Sequence, residues 1–219
     1  MKIKGFAIKG VSACVPKHQE DNLELDFLSE SEKKRLVDSV GIRFRPIANQ
    51  IGTAEMATKS AEQLMESLKW PTGSIDILVL VTQTPTMYIP GSASEIHASL
   101  GLPKKSIALD VNQGCAGYPY GLSVITSIMQ SFGFKRGLLL VGDVITKHVS
   151  KDNQSLRPIF ADAVTATAIE FDGQTTMDFS FEVDGARNQT ICLTVLRLVV
   201  RRNNDSYRGT HIYAIQVSY

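Results

Sequence analysis

Apolar positions along this chain change period several times, and each change marks an element. In Lys2–Val15, Ile3, Phe6, Ile8 and Val11 punctuate a run that Pro16 ends, which predicts an opening strand with Cys14 in the core. The pattern then turns polar: Ser29-Glu30-Ser31-Glu32 offers capping hydroxyls and early acids to a helix that Gly41 can terminate, with Gly41–Arg45 as a loop behind it. Thr53–Lys69 carries Met56, Ala57, Leu64, Met65 and Leu68 as a helical stripe, closed by Trp70-Pro71-Thr72-Gly73. Ile75–Val81 is nearly continuous Ile, Leu and Val, the pattern of a central parallel strand. A helix feeding such a strand suggests a crossover unit.

Thr82–Pro90 is polar and proline-bearing, hence a loop, and Ser92–Leu100 reads as a short helix whose His97 is structural or solvent-facing. Ile107, Ala108, Leu109 and Val111 form a short apolar run of the kind seen in strands buried on both faces. From Tyr118 the spacing becomes helical through Leu122, Ile125, Ile128 and Met129, until Gly133. Leu138–Val141 is another buried strand, with Gly142-Asp143 as its turn. Three extended runs follow, Val164–Phe171, Met177–Val183 and Thr190–Leu198, the last two joined through Asp184-Gly185. Strand and helix alternating early, with strands meandering late, predict an α/β layered domain with helices outside its sheet.

Composition narrows the class of function more than its detail. The chain has 219 residues, 43% of them hydrophobic, ample for a substantial core. A net charge of +1, with scattered Lys and Arg, argues neither for nucleic acid nor for an acidic membrane surface, and neither is expected as a partner. No apolar run approaches the roughly 18–20 residues of a membrane span, and the start lacks a signal-peptide pattern. Three cysteines, Cys14, Cys115 and Cys192, cannot all pair and show no C-x-x-C spacing, so neither a disulfide scaffold nor a metal site is expected and a reducing, cytoplasmic home fits.

The chemistry concentrates at Ser106–Leu122, S-I-A-L-D-V-N-Q-G-C-A-G-Y-P-Y-G-L. Here Cys115 stands between a strand pattern and a helix pattern, flanked by Gly114 and Gly117. The free N–H groups and positive macrodipole end of a helix N-terminus suit an anionic sulfur. The residues alone leave two readings open, a small buried apolar side chain or a nucleophile held on a tight strand-to-helix turn.

D-V-N-Q-G-C-A-G-Y-P-Y-G-L resembles the active-site cysteine segment of the β-ketoacyl-acyl-carrier-protein synthase III family of the thiolase superfamily, roughly D-x-x-x-A-C-[SA]-G-x-x-x-[AG]-L. Further stretches agree in order: G-I-R at Gly41–Arg43, T-Q-T-P-T-M-Y-I-P-G-S-A at Thr82–Ala93, L-G-L-P at Leu100–Pro103, and F-A-D-A-V-T-A at Phe160–Ala166. The resemblance runs from the first strand to about Thr194. It implies a thiolase-like layered α-β-α-β-α fold, of which this chain is one half of the usual duplicated arrangement, with a mixed sheet and helices on its faces.

The resemblance also implies a decarboxylating Claisen condensation, in which Cys115 takes an acyl group from a thioester of coenzyme A or carrier protein and malonyl acyl carrier protein supplies the nucleophile. Arg43 and Arg45 become candidates for phosphate contact with the donor, and Ile89 for a loop that reaches the neighbour's acyl pocket in a homodimer. No cofactor is implied. The family's catalytic His and Asn come from its second half, and His18, His97, His148 and His211 lie in none of the family's contexts.

Residues 1–194 are therefore expected to form the nucleophile-bearing unit and 195–219 an atypical tail, truncated or altered in frame. A non-catalytic product, a partner subunit, and a hydroxymethylglutaryl synthase-like condensing enzyme are the alternatives.

Overall fold

The computed structural model describes residues 1–183 and 197–201. One mixed sheet organises them. Its strands are β1 (Lys2–Cys14), β4 (Ile77–Val81), β5 (Ile107–Val111), β6 (Arg136–Asp143), β7 (Ala163–Ser180) and β8 (Arg197–Arg201), in the order β1-β7-β6-β4-β5 with β8 also on β7. β4 pairs in parallel with both β5 and β6, whereas β7 runs antiparallel to β1, β6 and β8. Four helices accompany the sheet: α1 (Glu30–Val40), α2 (Thr53–Leu68), α3 (Ser92–Ser99) and α4 (Gly117–Phe132).

The pleat divides the core in two. Leu78, Leu80, Leu138, Leu140, Ala166 and Ala168 face one side and pack with Met56, Ala57, Ala61, Leu64 and Met65 of α2 and with Ile96 of α3. Ile77, Val79, Val81, Leu139 and Ile169 face the other, against Leu122, Ile125 and Met129 of α4. Strand residues one apart thus serve different layers, as the period of two requires. The result is a helix-sheet-helix sandwich, the expected half of a thiolase-like arrangement.

Local chemistry sets the helix ends where the pattern places them. Ser29 caps α1 reciprocally: its backbone N–H donates to Glu32 Oε2 at 2.9 Å, while the Glu32 N–H donates to its hydroxyl at 3.4 Å. Gly41 closes the helix in the left-handed region at φ 72°, its N–H reaching the Val37 carbonyl.

Three expectations change. The Gly41–Arg45 stretch is not all loop, because β3 (Phe44–Pro46) pairs with β2 (Gln19–Asp21) in a small second sheet. The two runs expected at Val164–Phe171 and Met177–Val183 are one strand: Asp172 accepts the N–H groups of Gln174 and Thr175, and the chain bulges through Gly173 (φ 71°) and rejoins the ladder beside β1. The apolar run at Ile107–Val111 is not buried on both faces. Among the described residues it has a strand partner only in β4, and its side chains are half-buried or, at Asp110, exposed. Arg197–Arg201, from the stretch expected as an atypical tail, pairs with the main sheet along Thr176–Ser180. The Asp184-Gly185 turn, Cys192 and His211 lie outside the described residues.

Candidate active site

Cys115 occupies the short turn between β5 and α4, at the C-terminal ends of the parallel strands. It is exposed, whereas Cys14 at the end of β1 is fully buried in the core. The turn is tight: the Gly117 N–H donates to the Gly114 carbonyl at 2.7 Å, bracketing Cys115 and Ala116, and the Tyr120 N–H then donates to Ala116. Ala116 is the N-cap and provides no side-chain acceptor, and the helix begins two residues beyond the thiol.

Three glycines set how closely this turn seats on the sheet. A Cβ at Gly117 would stand 2.8 Å from Val81 Cγ1, and one at Gly121 would stand 2.6 Å from Val81 Cγ2 and 2.7 Å from Leu139 Cδ1. One turn apart, they let the first part of α4 lie directly on β4 and β6. A Cβ at Gly114 would meet the Gln83 side-chain amide at 3.3 Å, so the loop leaving β4 forms the wall beside the residue before Cys115.

Tyr118, in the first turn of α4, is largely buried, and burial pushes its phenol above the ordinary tyrosine range, against a smaller opposing pull from the Thr167 hydroxyl 3.5 Å away. It remains a neutral phenol at physiological pH.

Two carboxylates at the strand ends were not singled out by the sequence pattern. Asp110 on β5 accepts the Ser92 N–H at 2.7 Å and the Ala93 N–H at 2.6 Å, tying the start of α3 to the strand that delivers Cys115. Asp143, at the end of β6, gathers Thr82, Gln83 and Thr84. The available signal was position: an Asp at the C-terminal end of a strand parallel to the cysteine strand.

The remaining sequence candidates stand elsewhere. Arg45 is 1% exposed, and its guanidinium donates to Asn22 Oδ1 at 2.7 Å, Glu20 Oε2 at 2.6 Å and the Phe160 carbonyl at 3.2 Å. That is a correction to its expected role: a cation enclosed by three internal acceptors braces the small sheet against the Phe160 segment and presents nothing to a phosphate. Arg43 is exposed, with its Nε 3.2 Å from Asp21 and its guanidinium over the Phe44 ring. None of these partners belongs to the cysteine turn.

Ile89 is 91% exposed beside Tyr88 at 83%, at the far end of the loop that Gln83 begins. His97 Nε2 lies 2.8 Å from Ser106 Oγ and 3.1 Å from the Pro103 carbonyl, which makes it a brace for the α3–β5 connection. A groove of about 840 Å³ lined by Pro16–His18 and Ile47–Ile51, and a smaller one of about 510 Å³ around Asp26, Phe27, Lys151 and Arg157, both lie away from Cys115.

Comparison with known proteins agrees with this geometry. Residues 109–185 match the family model for 3-oxoacyl-[acyl-carrier-protein (ACP)] synthase III. A Campylobacter jejuni protein provisionally named 3-oxoacyl-[acyl-carrier-protein] synthase 3 is 36% identical over 168 residues, covering 74% of this chain and 47% of its own length. A β-ketoacyl-[acyl-carrier-protein] synthase III of Levilactobacillus brevis is 27% identical over 79% of this chain and 54% of its own.

Among solved structures, a 3-oxoacyl-(acyl-carrier protein) synthase from Burkholderia xenovorans superposes with a TM-score of 0.81 at 35% identity, over 86% of this chain and 55% of that one. The chain spans about half the length of the curated relatives it matches. In sequence and fold, then, the chain is similar to β-ketoacyl-acyl-carrier-protein synthase III proteins over about half of their length, and its fold is one half of their thiolase-like arrangement.

Proposed function

We propose that this chain supplies the acyl-accepting half of a 3-oxoacyl-acyl-carrier-protein synthase III reaction, an acyltransferase activity of fatty acid biosynthesis. The observation that carries the reading is the exposed Cys115 on a glycine-framed turn ahead of α4. As a thiolate, its sulfur attacks the carbonyl carbon of an acyl thioester. The tetrahedral intermediate collapses with loss of the donor thiolate, which takes up a proton, and leaves an acyl-cysteine. Backbone N–H groups of the turn are the available donors for the intermediate's oxyanion.

In the full reaction, malonyl carrier protein then loses carbon dioxide and the resulting carbanion attacks the acyl-cysteine, releasing the sulfur. That step needs donors for the enolate oxygen, the role of the family's His and Asn. Each preorganised donor of this kind is worth about 2.7–4 kcal/mol. Neither is assigned among the described residues, so the reading made of them is a half-reaction: acylation of Cys115.

The exposed Tyr88–Ile89 tip fits a homodimer in which the loop enters the neighbour's acyl pocket, and the exposed Arg43, beside Asp21, is a candidate cation for the donor's phosphates. Residues 1–194 then act as the nucleophile-bearing unit, in a cytoplasmic setting.

The test is intact mass after incubation with a panel of acyl thioesters on coenzyme A and on carrier protein. Addition of one acyl group, lost in Cys115→Ala, is expected; no uptake from any donor overturns the reading. Malonyl carrier protein added to the acylated chain is expected to give no 3-oxoacyl product, and appreciable turnover would overturn the half-reaction.

A further inference from the structure

Asp143 collects more hydrogen bonds on one atom than its place in a strand-end turn requires. Its Oδ1 accepts from the Thr82 hydroxyl at 2.7 Å, the Gln83 N–H at 2.7 Å, the Thr84 N–H at 3.0 Å and the Thr84 hydroxyl at 3.0 Å. Thr82 and Thr84 are both buried. The knot extends further: the Val144 N–H donates to the Thr84 hydroxyl at 2.9 Å, and the Thr53 hydroxyl donates to the Thr84 carbonyl at 2.7 Å. Four donors converging on one oxygen call for an anion, since a charged acceptor bonds about twice as strongly as a neutral one.

What this knot holds is the exit of β4. The Thr82 N–H donates to the carbonyl of Val111, the last residue of β5, and the Gln83 side chain lies 3.3 Å from where a Gly114 Cβ would be. The hydrogen bonds of Asp143 thus fix the backbone of Gln83, whose side chain occupies the space that a Cβ on Gly114, the residue before Cys115, would need.

We infer that Asp143 is a positioning residue for Cys115, holding the Thr82–Thr84 bend as the wall against which the Gly114–Cys115 turn is seated. The inference rests on the reading that Cys115 accepts an acyl group. Asp143 touches no reacting atom; it acts through Gln83. A turn displaced by a fraction of an ångström misaligns the sulfur with a bound thioester and with the backbone donors, and misplacements of that order lower rates by tenfold or more.

The experiment uses the full 219-residue chain and the variants Asp143→Asn, Gln83→Ala and the two combined. Single-turnover acylation of Cys115 by acyl-coenzyme A is followed by intact mass across donor concentrations, with iodoacetamide alkylation and thermal melting in parallel. Asp143→Asn is expected to lower the limiting acylation rate about tenfold while the half-saturating concentration moves by less than about twofold. The double variant is expected to be no slower than the slower single, because both substitutions remove the same wall.

Alkylation rates are expected to follow the same order. Rate losses that add, or a loss that only follows the melting temperature, overturn the inference and leave a purely structural carboxylate. If the parent chain takes up no acyl group, the functional reading fails while the alkylation cycle still decides the role of Asp143. Asp143→Asn keeps an acceptor oxygen; should it fail to fold, Asp143→Glu, which moves the carboxylate by one methylene, takes its place in the same cycle, where a lowered limiting rate that Gln83→Ala does not deepen supports the inference and an unchanged rate overturns it.

Discussion

β4 and β5 are five-residue strands of similar composition, I-L-V-L-V and I-A-L-D-V, paired in parallel with each other. Every residue of β4 is buried; no residue of β5 is. The difference lies in their neighbours, since among the described residues β4 has a strand on each side and β5 on one. An apolar run therefore identifies a strand without saying where in the sheet it lies. The two positions also do different work. The exit of β4 is knotted to Asp143, while the exit of β5 carries the exposed thiol. A fully packed strand gives a fixed wall, and the edge strand beside it places a reactive group where a substrate can reach it.

The largest contrast between buried and edge positions should be in thiol reactivity. Cys14 is at 0% exposure in the core, so a reagent reaches it only through opening of the fold, which at typical domain stabilities of 5 kcal/mol or more suppresses labelling by about a thousandfold or more. Cys115 should label in the native state at close to the rate of an accessible thiol. Peptide mapping after brief alkylation at neutral pH checks this, and labelling of Cys14 ahead of Cys115 would break the comparison.

Truncation should separate the strands next. Leu80→Ala in β4 removes a fully buried side chain and is expected to cost about 2–5 kcal/mol in urea unfolding. Leu109→Ala in β5 leaves a cavity open to solvent and should cost less than half as much. Equal losses would mean that the edge of β5 is covered in solution.

A smaller effect probes how α4 sits on β4. Gly121→Ala places a methyl 2.6 Å from Val81 Cγ2 and 2.7 Å from Leu139 Cδ1, overpacking worth about 1–3 kcal/mol. In a Val81→Ala background part of that cost should disappear. A cost unchanged by Val81→Ala would place the strain elsewhere.

Much of this was legible from residue order alone. The capped α1, the stripe of α2, the run of β4 and the cysteine between Gly114 and Gly117 all follow from local period and end chemistry, and each lies where its pattern places it. What escaped the sequence depends on contacts between distant segments. Arg45 and Arg43 look alike in the chain, yet only Arg45 is drawn inward, by acceptors 23, 25 and 115 residues away. Asp143 reads as a turn residue until β6 is known to lie beside β4. The exposure of β5 likewise depends on which strands flank it, a property of the sheet rather than of its five residues.

The smallest expected effect lies outside both strands and serves as their control. Burial pushes the Glu20 carboxyl up, but the hydrogen bond from Arg45, with the charges of Arg157 and Arg45, outweighs it and holds the group below its ordinary value. A depressed folded-state pKa means that the unfolded chain binds the proton more readily. The pair's contribution is therefore fully present above the ordinary carboxylate value of 4.5 and is lost as pH falls from there through the lower folded value. Because Glu20 is 30% exposed, that contribution should be under about 1 kcal/mol. Glu20→Gln should accordingly flatten the acid limb of the stability profile below this value and leave the slope between pH 6 and 8 untouched. The small sheet of β2 and β3 is separate from the β4–β5 ladder, so the same flattening should appear in the Leu109→Ala chain. An acid limb that steepens in Glu20→Gln, or that changes only in the Leu109→Ala background, would show that the edge strand is energetically coupled to the Arg45 brace and that the contrast between β4 and β5 is not a local one.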